Sequence, residues 1–172
     1  NDWTANNLAA TDSSTDTPTN NFCVMNPLDN YIAASTFSEG NCKIVTSSSG
    51  AHYTYNTATF GLSAGKWYWE VEDDAYSGSH NPDIGIADIP TASATSYLGS
   101  VTSTVSHIAN GNYRQSDSNN AYGASYTTGD IISVALDLDN NRIYFAKNGV
   151  WQNSSDPTDG TNAISITDPA ST

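Results

Sequence analysis

Positive charge is what this sequence has least of. Five Lys and Arg stand against 18 Asp and Glu among 172 residues, a formal net charge of -13. Phosphate backbones and anionic membranes are held by clustered basic side chains. Lys43, Lys66, Arg114, Arg142 and Lys147 are instead scattered along the chain, which argues against nucleic acid and membrane surfaces as partners. No apolar run approaches the roughly 20 residues a membrane-spanning helix needs. Apolar residues at helical spacing are missing from every window of about ten residues, which speaks against helical and parallel α/β architectures. Catalytic grammar is missing too. His52, His80 and His107 lie far apart, and no G-x-S-x-G stretch raises a Ser nucleophile onto a sharp turn. The expectation is a protein that is not an enzyme and uses no cofactor.

Cysteine is scarce as well. Cys23 and Cys42 have no second Cys or His cluster beside them to complete a zinc site. They are either two free thiols or a disulfide, and the bond would stabilise the fold by roughly 3 kcal/mol. The best metal candidate is Asp73-Asp74 followed by His80 and Asp83. Polar acidic loops are common in a chain of this charge, so the expectation is a loop without metal.

What is present is turn chemistry and aromatic side chains. Ten Tyr and four Trp are too many for a disordered chain. In DLDNNRIYFAKNGVWQ, Asp137 to Gln152, the crowd of Asp and Asn suggests a calcium loop at first sight. Ile132, Val134, Leu136 and Leu138, however, alternate with polar or small residues, the period of a half-buried strand. Alternation resumes at Ile143 and Phe145. Asn140-Asn141 and Asn148-Gly149 then read as two-residue type I′ turns, so Ile131 to Asn153 forms a three-stranded meander. Trp67, Trp69 and Val71 alternate with Tyr68, Glu70 and Glu72 after an Ala64-Gly65 turn, which places both Trp in the core. Ile84 and Ile86 mark another strand, and Asn110-Gly111 another hairpin. Ser93 to Thr104 and Ser116 to Asn120 read as exposed loops. Short strands with frequent turns predict an all-β fold, a two-sheet antiparallel sandwich, over residues 21–172. Residues 1–20, poor in apolar side chains, form an extended N-terminal arm.

With the strands placed, GDIISVALDLDNNRIYFAKNGVW (129–151) resembles the C-terminal signature of the SPRY domain family. GLSAGKWYWEVE (61–72) resembles the strand pair that opens it. The resemblance implies a bent, concanavalin-like jelly roll used for binding, with the ligand surface made by loops. Family members continue with further strands after the NGVW hairpin, so either the chain is a fragment or a neighbouring subunit completes the sheet, and completion by contacts between copies or with a larger assembly is the expectation. The lead-in TDTPTNNFCVMNPLDN (15–30) is similar to segments before SPRY-like domains in virion proteins of tailed phages, marine ones included. That implies a virion structural module, a tail-fibre or surface-appendage protein. Its partners would be other copies of itself, a trimer as fibre proteins often are, other virion subunits, and a host glycan or protein receptor. The alternative is a carbohydrate-binding, lectin-like module of an extracellular protein. Candidate ligand-binding residues are Tyr76, His80, Asp83, Tyr97, Tyr113, Arg114 and Trp151, chosen because loop aromatics and polar groups stack on sugars or anchor protein partners.

Overall fold

The computed structural model describes residues 19–31, 35–46, 54–75, 82–87, 97–100 and 103–167. Most of the expected N-terminal arm therefore lies outside the described residues. The chain divides into two compact units, Asn1–Leu62 with Pro90–Tyr97, and Ser63–Ile89 with Leu98–Thr172.

In the first unit, β1 (Met25–Tyr31) pairs antiparallel with β4 (Tyr55–Ala58), and β2 (Ser35–Ser38) with β3 (Lys43–Thr46). Pro27 has no N–H to give the ladder, and the register of β1 on β4 breaks between Met25 and Asn30. The disulfide expectation is corrected here: Cys23 and Cys42 are both free and exposed. Neither lies in a strand. Cys23 precedes β1 with its Sγ 4.0 Å from the Thr59 hydroxyl, and Cys42 sits in the β2–β3 turn.

The second unit holds the long strands. β5 (Lys66–Glu72), β10 (Ile131–Asp137), β11 (Arg142–Lys147) and β12 (Val150–Trp151) form one antiparallel sheet, which β13 (Ile164–Ser165) joins beside β11. β6 (Asp83–Ile86), β7 (Val105–Ile108), β8 (Asn112–Gln115) and β9 (Ser118–Ala121) form a second sheet as a plain meander. No α-helix occurs among the described residues. Alternation along β10 and β11 drives Ile132, Val134, Leu136, Ile143 and Phe145 into the core, none more than 3% exposed.

The two sheets of this unit meet at an aromatic stack. The His107 ring on β7 lies between Phe145 on β11 (centroids 5.3 Å apart, planes at 20°) and Tyr126 (5.2 Å, 23°), with Tyr122 edge-on. His107 is wholly buried and neither ring nitrogen has a hydrogen-bond partner. Burial pushes its imidazole down to about 4, so the ring is neutral and packs as an aromatic. Tyr122 does a second job. Between the stretches of β11 that pair with β12 and with β13, the Phe145 N–H donates to the Tyr122 hydroxyl at 3.2 Å. A side chain thus replaces the missing rung of the ladder.

The hairpins show how turn chemistry sets register. At Asn148-Gly149 both residues have positive φ (48° and 78°), as a type I′ turn requires, and Lys147 faces Val150 across it. The expected two-residue turn at Asn140-Asn141 is corrected. β10 ends at Asp137, opposite Arg142, and four residues make the turn with only Asn141 at positive φ. The cause is the Asp137 carboxylate, which accepts from both the backbone and side-chain nitrogens of Asn140 and pulls the chain out of the ladder early. Ser116 to Asn120 is not a loop either: Ser116 and Asp117 take positive φ and turn the chain into β9.

Candidate protein-interaction surface

The residues singled out in the sequence do not converge. Tyr76 and His80 lie outside the described residues. Asp83 and Arg114 do meet, across the four-stranded sheet, with an ion pair of 2.9 Å whose side chains are 15% and 17% exposed. Arg114 also donates from Nε to Asn119. Burial pushes the Asp83 carboxyl up to about 7 against the pull of Arg114, so the pair is a strut inside the sheet. Tyr113 is half-buried, edge-on to Tyr122 at 5.8 Å, and caps the core. Trp151, half-buried, pairs with Ala146 in β12. Tyr97 belongs to the first unit and is half-buried. Among the described residues no group of three His, Cys, Asp or Glu side chains is placed to hold a metal ion.

The surface that stands out is β5. The core placement of Trp67 is corrected: it is 41% exposed, Tyr68 59% and Val71 38%, while Trp69 is half-buried. Beside them Ile131 is 37% exposed. The reason is position. β5 pairs with β10 on one side, and among the described residues no strand pairs with its other edge. The direction of the backbone groups follows from the flanking bonds. The Gly65 carbonyl accepts from the Leu138 N–H, and the Asp73 N–H donates to the Asp130 carbonyl. Groups alternate along a strand, so Trp67, Trp69 and Val71 bond to β10. The N–H and C=O groups of Lys66, Tyr68, Glu70 and Glu72 then point to the open edge.

An unpaired edge with exposed aromatics is a ready template for another strand. The side chains around it are fixed by local contacts. Trp67 Nε1 donates to the Ala64 carbonyl at 2.8 Å, Lys66 pairs with Asp137 at 3.1 Å, and the Tyr68 hydroxyl donates to Glu70. A recess of about 90 Å³ lined by Lys66, Ala135, Asp137, Tyr144 and Pro157 opens nearby. Small-molecule sites run to roughly 300–1,000 Å³, so this recess is well below the size of such a site. The sequence did carry a signal for this surface: KWYWEVE is apolar or aromatic on both faces at Trp67, Tyr68 and Trp69, where a strand covered on one side needs only one.

Residues 66–158 match the family model of the SPRY domain. The chain belongs to the SPRY domain family. The SPRY domain of human HERC1 is similar in structure, with a TM-score of 0.62, 19% identity, and coverage of 84% of this chain and 82% of that one. No curated protein matches the chain. The all-β sandwich expected from the strand pattern, in the SPRY-like form that the motif resemblance implied, is thus the fold. Members of the family are generally protein-interaction modules without enzymatic activity.

Proposed function

We propose that this SPRY domain is a non-catalytic module that captures a protein partner along the open edge of β5. One observation carries the reading: a seven-residue strand presents, on an edge that no other described strand pairs, outward backbone groups together with exposed Trp67, Tyr68 and Val71. Strand addition draws affinity from the backbone bonds and selectivity from alternate side chains. The phage-like lead-in at 15–30 supports a place on a virion appendage, where neighbouring subunits and host receptors are the available partners. The lectin alternative, in an extracellular protein, draws on the same exposed aromatics, which also stack on sugars.

Selecting random displayed peptides on the immobilised 172-residue chain, beside a glycan array, separates the two. Bound peptides are expected to be extended and to alternate apolar with polar residues. Glu70→Pro removes an edge-facing N–H while leaving the β10 ladder intact, and should weaken them at least tenfold. Glycan binding with no peptide selected, or peptide affinity unchanged in Glu70→Pro, overturns the proposal.

A further inference from the structure

The edge of β5 reads as its own complement. We infer that a second copy of this chain occupies it, the two β5 strands running antiparallel about a two-fold axis at Trp69. This rests on the edge-capture reading above and names its partner.

In that register Lys66 lies opposite Glu72 of the second copy, Trp67 opposite Val71, Tyr68 opposite Glu70, and Trp69 opposite itself. The pairings match in kind: opposite charges, apolar with aromatic, a phenol hydroxyl that trades its own strand's Glu70 for the second copy's, and ring with ring. The backbone agrees. Lys66, Tyr68, Glu70 and Glu72 carry the outward N–H and C=O groups, and these are the residues that the register places in mutually bonded pairs, leaving Trp69 at a non-bonded pair where side chains approach most closely. Competing registers are poorer. Centring on Glu70 sets two carboxylates face to face. Centring on Tyr68 leaves Val71 and Glu72 beyond the paired stretch. A one-residue slip would lay apolar side chains against the polar face. Charge also bears on self-pairing: the chain as a whole repels its copies at -13, whereas in this register Lys66, which pairs with Asp137 in its own chain, also faces Glu72 of the second copy. An isologous pair closes on itself and merges the two β5 sheets into one, so it gives dimers without fibres.

Light scattering behind gel filtration, from about 1 to 100 µM chain, tests this. A dimer is expected. Glu72→Lys, an exposed position, puts two like-charged pairs into the interface and should raise the dimer dissociation constant about tenfold. Adding Lys66→Glu should restore it, because the swapped charges again oppose each other only in this register. Glu70→Pro should abolish the dimer. Thermal melts of each variant separate lost pairing from lost folding. A monomer throughout the range, or a dimer unmoved by Glu72→Lys and Glu70→Pro, overturns the inference. A monomer that still binds selected peptides in a Glu70→Pro-sensitive way overturns the self-pairing alone and leaves the edge-capture reading standing.

Discussion

His107 offers a perturbation whose size follows from its surroundings. The ring is wholly buried, its nitrogens lack partners, and the rings packed on it among the described residues are Tyr126, Tyr122 and Phe145, none of which supplies a negative charge below pH 7. Charging it inside the stack is therefore costly. Its folded value of about 4 lies below the ordinary 6.5, so between those values the unfolded chain binds the proton and the folded chain does not. The contribution of neutral His107 is complete above pH 6.5 and is lost as pH falls toward 4. At about 1.4 kcal/mol per pH unit, the full loss is about 3 kcal/mol. Asp83 acts in the opposite sense. Its folded value of about 7 exceeds the ordinary 3.8, so stability from this group falls as pH rises from about 4 to 7. A wild-type pH curve mixes the two, and a difference measurement isolates one. His107→Phe keeps a ring between Tyr126 and Phe145 and removes the unpaired nitrogens, so at pH 7.5 it should be neutral or stabilising by about 1 kcal/mol. Urea unfolding, followed by Trp fluorescence, should then show the variant gaining a further 2–3 kcal/mol or so over wild type at pH 4.5. A difference between the two proteins that stays constant within about 0.5 kcal/mol from pH 7.5 to 4.5 would refute the reasoning.

Three further outcomes are expected. Gly85→Ala should cost more than about 3 kcal/mol in urea unfolding, because an added Cβ would stand 1.9 Å from the Val105 carbonyl oxygen and force β6 from β7. Tyr122→Phe should lose about 1–3 kcal/mol in the same assay, since the Phe145 N–H then has no acceptor in the gap between β12 and β13; an unchanged midpoint would show that the rung is dispensable. Both thiols should react with Ellman's reagent in the native, unreduced protein, Cys23 and Cys42 being free and exposed, and a native protein with no reactive thiol would restore the disulfide.

Much of the fold was legible because it is written in local rules. Alternation at Ile132–Leu136 and Ile143–Phe145 placed the core strands, and Asn148-Gly149 set the β11–β12 hairpin with positive φ at both residues; Asn110-Gly111 marked the β7–β8 hairpin, where Gly111 alone of the two takes positive φ. Errors arose where side chains overrode the local rule. Asp137 captured Asn140 and lengthened a turn, and Ser116-Asp117 took a conformation normally left to Asn and Gly. Trp67 shows the limit for the site. Period 2 says which face a residue shares with Val71, yet burial depends on whether β5 has a neighbour, and that is decided by residues distant in sequence. Asp83 and Arg114 were picked separately, and only the pairing of β6, β7 and β8 shows that they neutralise each other. The exposed edge was hinted at by Tyr68 between Trp67 and Trp69, and the topology located it.

Residue-resolved amide exchange along β5 is the most direct test of that edge. In dilute protein, Trp67, Trp69 and Val71 should be protected by β10, while Lys66, Tyr68, Glu70 and Glu72 exchange quickly. Raising the chain concentration should slow the second set and leave the first unchanged. Protection of all seven amides at every concentration would mean that the edge is already filled within one chain, and the account of β5 as a capture strand would be contradicted.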